Sequence, residues 1–545
     1  MRHSLVAPSR VDIPPEWRQY IDEFIGFVRE DADLQSVEPW KEEMVLEEMS
    51  KPIQKRRFLD YLKFPIQLIG RLSCDMILKT SDFVSPSSAP RVIYPMDATH
   101  LAETACITKA VKESFLKYTH WYTPGMDPAE VSQAVYDYVN THGEIVESDL
   151  SKFDGTITPE LRVFEALFYD ALCPRTGNSV LREFRMVAKG MALEHPLDGS
   201  RASGSSFTTD GNTVITAFVD YVTHRQSDPP EISPREAYDK IGLHCGDDAI
   251  MSGNIEAIIS VHTQAGLKIK AKKIPEGTPV SYLGRVFPNP WTSTTSLQDP
   301  ARFWPKIAGV YHTGVNPKWV LCERANAFLL TDRRTPICSA YCRAILRVIG
   351  PQVKYVVKDG FRKWFEHNNT DLSIFNTYLQ DPEDDAMLAA YENTVLHCDS
   401  NTKACADIDS IQDEEGLNSV EFCSMDFLDE EDNPATQSFL RPHMPVQPLV
   451  IPSTEPYIVP GRKEHPAIPP ERSVKLSMPP PRARRRSKPV AKETVVGPHS
   501  SPGKKPGPPD SSKISKDGRE SATRDRKHKP EQSTPKKSAP PKART

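Results

Sequence analysis

The charges of this chain are sorted along its length, and the sorting limits where a folded core can form. Residues 462–545 carry 23 Lys and Arg against 8 Asp and Glu, whereas residues 366–435 carry 19 acids and a single base. The net charge of −5 hides this split. After Pro434 the chain holds 22 of its 50 prolines and almost no aromatic residues. A segment so poor in apolar groups cannot bury enough surface to offset chain entropy, so it is expected to be disordered. A sizeable core is confined to roughly residues 10–395, out of 545 residues that would otherwise suggest several domains.

No membrane-spanning segment is expected. The N-terminus, MRHSLVAPSRVDIPPEW, lacks the apolar run of a signal peptide. The most hydrophobic stretch, YLKFPIQLIGRLSCDMI, is interrupted by Lys63 and Arg71. Ten cysteines are scattered without a CxxC pair, the nearest approach being CSAYC at 338–342. That spacing does not suit structural zinc, and reduced core cysteines in a cytosolic compartment are expected.

Three short motifs carry the chemistry. In VESDLSKFDGTI (146–157), a strand reads into a Gly155 turn and ends in Asp149 and Asp154, five residues apart. Carboxylates at the end of a buried strand lose solvation unless a cation meets them. In RASGSSFTTDGNTVITAFVDYV (201–222), Ser203-Gly204 forms a loop and a helix follows, with Val214, Phe218 and Val222 at helical spacing. Thr208 and Asn212 lie four apart, on one helix face if the helix begins early. In KIGLHCGDDAIMSGN (240–254), apolar residues flank Gly246-Asp247-Asp248 as a strand–turn–strand hairpin. Two adjacent carboxylates at its tip repel one another unless a metal ion binds them.

Taken together and in this order, the motifs resemble the palm of viral RNA-dependent RNA polymerases, whose signatures read D-x4-5-D, SG-x3-T-x3-N and GDD. The wording is most similar to nodavirus-like replicases in DLSKFDGTITPELR, RASGS, CGDDAIMSG and VSYLGRVF. WYTPGMDPAEV (121–131) and LTDRRTPICSAYCRAIL (330–346) resemble that family as well. In ILKTSDFVSPSSAPRVI, Lys79 and Pro90-Arg91 match the family's finger motif, but Ser81 stands where an acid belongs. The family also carries an N-terminal half with a membrane anchor and a capping region. This chain begins close to the polymerase, so those activities are expected on another viral replication protein.

The resemblance implies an α+β right-hand polymerase with an antiparallel palm sheet flanked by helices. Fingers are expected within 1–145, with an insertion into a palm at 146–289. A thumb at 290–397, an acidic linker at 398–435 and a disordered, Pro-rich basic tail at 436–545 would follow. It implies two Mg²⁺ ions, replaceable by Mn²⁺, on Asp149 and Asp247 with Asp248 in support. Oxygen ligands and substrate phosphates suit Mg²⁺. Asp154, Ser203 and Asn212 would surround the ribose 2′-OH, with Gly204 in the substrate-binding loop and Thr208 supporting that loop. Lys79 and Arg91 would meet the triphosphate. Lys272 or Lys273 would protonate the leaving pyrophosphate. Tyr282 and Arg285 would meet the nascent strand.

The implied partners are an RNA template, its nascent strand, ribonucleoside triphosphates and other viral replication proteins, in host cytoplasm at membrane-associated complexes. A reverse transcriptase and an RNA-binding scaffold with a decayed polymerase fold are the competing classes. Cys245-Gly246 and SG-x3-T-x3-N argue against the first, and the intact acids against the second. The acidic stretch reads either as a solvating linker or as a partner-binding or self-masking peptide. PRARRRSKP (481–489) reads as a nucleic-acid tether or a nuclear-targeting signal.

Overall fold

The computed structural model describes residues 11–49, 52–63, 72–79, 91–190, 193–227, 232–308, 316–352, 380–396 and 401–420. By compactness the chain divides into Met1–Ile458 and Val459–Thr545, and every described residue belongs to the first unit. The basic tail therefore lies outside the described residues, as do residues 421–435 of the acidic stretch.

The chain is α+β, as expected, and its central sheet is wholly antiparallel. Leu243–Cys245 pairs with Asp248–Ser252, which pairs with Ile145–Leu150, which pairs with Ile269–Ile274. Side chains alternate across a strand, so each face collects every second residue. On one face Val146, Ala249 and Met251 are buried with Ile258 of the Ile255–Gln264 helix. On the other, Ile145, Leu243, Ile250 and Ile274 pack with Val280, Tyr282 and Phe287. Asp149 belongs to this second face, beyond the end of its apolar part.

Helix Thr208–Ser227 runs through the largest core and is buried almost all round, as a helix with so many apolar faces must be. Its Phe218 stacks on Phe164 at 4.0 Å and meets Phe24 edge-on at 5.7 Å. Those rings come from helices Pro159–Leu172 and Trp17–Asp31. Ahead of the central strand, Asp127 and Glu130 form a capping box with Pro128 in the first turn, which starts helix Pro128–His142.

A separate core joins helices Pro317–Thr331 and Pro336–Val348. Residues 401–420, expected to open the acidic linker, instead form helices Asn401–Asp409 and Glu414–Asn418. Ile408 and Leu417 are buried in that core, and these few apolar residues dock a segment whose charge suggested solvation. Within the expected thumb, Leu388 and Tyr391 pack against Val286 and Leu297. Residues 353–379 lie outside the described residues. The eight described cysteines are free, six of them buried. No described helix is long and apolar enough to cross a membrane.

Candidate active site

Backbone register brings the first and third motifs together. Asp149 lies directly opposite Asp248, so their side chains project from one face of the sheet, at the end where Gly246 turns the chain. Gly246 has φ +67°, a conformation that favours glycine. Burial first, then the charges of Asp247 and Asp149, push the Asp248 carboxyl up to about 6, while Arg302 opposes the rise. A partly desolvated carboxylate crowded by two others is what a divalent cation relieves, and an all-oxygen donor set suits Mg²⁺. The donors fit in chemistry, although among the described residues no three acidic or His/Cys side chains are drawn together into a formed metal cluster.

The second motif supplies the wall of the site. Asn212, buried in the first turns of its helix, donates from Nδ2 to Asp154 Oδ1 at 2.8 Å. Thr208 Oγ1 accepts from the Gly204 N–H at 3.2 Å and donates to the Ala202 carbonyl at 3.2 Å, so it braces the loop. Gly204 has φ +130°, and a Cβ there would stand 2.6 Å from the Tyr94 carbonyl oxygen. The Ser203 carbonyl accepts from the Tyr94 N–H at 2.8 Å. Among the described residues, the Ser203 hydroxyl is not joined to the Asp154–Asn212 pair. Lys79 and Arg91 are backbone register partners in a two-stranded antiparallel pair, with residues 80–90 between them outside the described residues.

Register also sorts the lysines after the hairpin. Lys270 lies directly opposite Asp149, and Lys272 opposite Glu147 on the same face. Lys273 lies opposite Val146 on the other face, away from Asp149, and pairs with Glu144 at 2.5 Å. Tyr282 and Arg285 are both engaged by protein groups. The Tyr282 hydroxyl is buried against Thr123 Oγ1 at 2.6 Å. Arg285 clamps Asp332 through two nitrogens, at 3.1 and 3.2 Å, and donates to both Ser296 Oγ and its carbonyl. Burial accounts for both: an aromatic and a guanidinium enclosed by polar partners hold the sheet to the helices behind it.

Several residues escaped the sequence reading. Thr213 and Thr216, three apart on the buried helix, hold the turn: the Gly246 N–H donates to Thr213 Oγ1 at 2.8 Å, and Thr216 Oγ1 donates to the Gly246 carbonyl at 3.2 Å. Hydroxyls in an otherwise apolar helix were the available signal. Arg302, more than half exposed, bears on Asp248 from helix Pro300–Ala308 and fills the space beside Gly284. Arg201 contacts both members of the Asp154–Asn212 pair: its backbone N–H donates to the Asp154 carbonyl and its Nε to Asn212 Oδ1.

No family model matches the chain. The RNA-directed RNA polymerase of striped jack nervous necrosis virus is 31% identical over 354 residues, 63% of this chain and 35% of that protein. That of greasy grouper nervous necrosis virus is 28% identical over 390 residues, 70% of this chain and 38% of its own length. The Pariacoto virus polymerase is 29% identical over 388 residues, 68% and 39% respectively. This chain thus spans between a third and two fifths of the length of these relatives. A human picorbirnavirus RNA-dependent RNA polymerase structure superposes loosely, with a TM-score of 0.47 and 13% identity over 74% of this chain and 85% of that one. Over most of its described part, the chain is related in sequence to the RNA-directed RNA polymerases of nodaviruses.

Proposed function

We propose that the chain is a viral RNA-directed RNA polymerase that copies an RNA template by two-metal-ion nucleotidyl transfer. The observation that carries this reading is the juxtaposition of Asp149 and Asp248 at a turn held by Thr213, with Asp247 at the same tip. Asp149 and Asp247 would hold the ions, and Asp248 would support them. When bound, two Mg²⁺ ions supply charge neutralisation at the attacking 3′-oxygen and the departing pyrophosphate.

The protein's own groups do the rest. Thr213 and Thr216 fix the aspartate-bearing turn, so little reorganisation is needed once substrate arrives. Lys270 and Lys272 share the Asp149 face and can give a proton to pyrophosphate oxygen. Asp154 and Asn212 bond the ribose 2′-OH; a deoxynucleotide leaves these polar groups unpaired, which disfavours it. Lys79 and Arg91 meet the triphosphate. Residues 462–545 neutralise RNA phosphates through their excess of Lys and Arg.

Primer extension by the full chain on an RNA template, with ribo- and deoxynucleotides compared in Mg²⁺, tests the reading. Template-dependent RNA synthesis from ribonucleotides is expected. Preference for deoxynucleotides would identify a reverse transcriptase, and RNA binding without synthesis would leave a scaffold.

A further inference from the structure

We infer that Arg201 is a positioning residue for ribose selection: it fixes the amide of Asn212 with its nitrogen toward Asp154, and Glu165 holds Arg201 in place. This rests on the reading of Asp154 and Asn212 as the pair that senses the 2′-OH.

An asparagine amide has nearly the same shape in its two orientations, so packing alone does not choose between them. With its oxygen toward Asp154 it would set two acceptors against each other; with its nitrogen there it donates. Arginine carries donors only. Arg201 Nε, 2.9 Å from Asn212 Oδ1, therefore tolerates just one orientation, the one that sends Nδ2 to Asp154 at 2.8 Å. One amide hydrogen is used by that bond and one remains for a ligand. The Arg201 backbone N–H also donates to the Asp154 carbonyl at 2.8 Å, so a single residue ties the first motif to the second.

Arg201 is in turn immobile. Its Nη2 donates to Glu165 Oε1 at 2.7 Å, and Glu165 Oε2 is bonded by Arg162. Arg162 donates onward to Glu183 at 2.7 Å, and Glu183 accepts from the Ser205 hydroxyl at 2.6 Å. These two arginines and two glutamates are completely buried and neutral as a set. Gly211 leaves room for them: a Cβ there would stand 1.9 Å from Glu165 Oε1 and 2.9 Å from Arg201 Nη2. Apolar residues of similar volume stabilise a core at least as well as buried ion pairs. A charged set whose free end terminates on Asn212, and which also bonds the loop through Ser205, is explained by the geometry it imposes there.

The test is a double-mutant cycle read as the ratio of ribo- to deoxynucleotide kcat/KM. Arg201→Lys keeps the charge beside Glu165 but loses the Nε donor. It is expected to lower the ratio about fivefold, the loss falling on the ribonucleotide, as for one weakened hydrogen bond. In an Asn212→Ala background, Arg201→Lys should change the ratio no further. If Arg201→Lys does not fold, Arg201→Gln with Glu165→Gln removes one positive and one negative charge together and is expected to behave the same way. An unchanged ratio in the folded Arg201 variant, with Asn212→Ala lowering it, overturns the inference while leaving the ribose pair intact. So does an equal fall with and without Asn212. If Asn212→Ala itself leaves the ratio unchanged, the ribose pair is wrongly assigned and the inference falls with it.

Discussion

Thr213 accepts the N–H of Gly246 at 2.8 Å, so a side chain in the buried helix sets the position of the turn that carries Asp247 and Asp248. Both Thr213 and Gly246 are buried, and no solvent replaces the bond if it is lost. Thr213→Val keeps the shape and removes the acceptor, leaving a buried donor unpaired at about 1–3 kcal/mol. Nucleotide incorporation is expected to slow at least tenfold, with melting lowered by only a few degrees, and Thr213→Ser should restore most of the rate. A Thr213→Val protein as fast as wild type would show that the turn needs no clamp.

The lysines beside the central strand separate by face. Lys270→Ala should lower the rate of incorporation, because Lys270 lies opposite Asp149. Lys273→Ala, on the opposite face and paired with Glu144, should leave the rate within about twofold, in keeping with an exposed ion pair. Equal losses in both variants would point to a general electrostatic effect of the strand on RNA.

Arg285 is expected to affect stability more than strand binding. Asp332 is 1% exposed, and Arg285→Ala removes its cation, leaving the buried charge with the Gln298 N–H and the Thr331 and Thr335 hydroxyls. Loss of one partner of a buried pair costs about 3–5 kcal/mol. Thermal melting should show the fall, while primer affinity per folded molecule stays close to wild type. A selective loss of primer affinity without destabilisation would restore Arg285 to the nascent strand.

A buried histidine makes stability depend on pH. Burial lowers the His262 imidazole to about 4, outweighing the Ile258 carbonyl that it meets at 2.8 Å and the charge of Asp220; His244 adds to the lowering. The unfolded chain takes up this proton near pH 6.5 and the folded chain only near 4. Its contribution is therefore complete above about pH 6.5 and is lost as the pH falls toward 4, on the order of 3 kcal/mol in all. His262→Leu should flatten the melting temperature across that window. An unchanged slope would assign it to other groups.

How much was legible follows from what is local. Asp149, Asp154 and the Gly246-Asp247-Asp248 turn could be read because strand alternation and turn chemistry are written within a few residues. Thr208, which the resemblance put in support of the loop, bonds the Gly204 N–H and the Ala202 carbonyl. Lys270 was missed because strand register depends on pairing across more than a hundred residues. The Arg285–Asp332 pair could not be read from the sequence, because Asp332 comes from a distant helix end. Arg201 carries no signal of its own in the sequence, because only the approach of the Pro159–Leu172 helix buries it against Glu165. The helices at 401–420 were hidden by their own acidity, since a few apolar residues suffice to dock them.

The central claim is that Asp149 and Asp247 hold the ions of nucleotidyl transfer, and single-nucleotide incorporation in Mg²⁺ by Asp149→Ala and Asp247→Ala tests it most directly. Both side chains are exposed, so neither substitution opens a cavity and melting should hardly move. Each folded variant is expected to fall below a hundredth of the wild-type rate. A tenth of that rate or more, retained by either variant, would contradict the assignment.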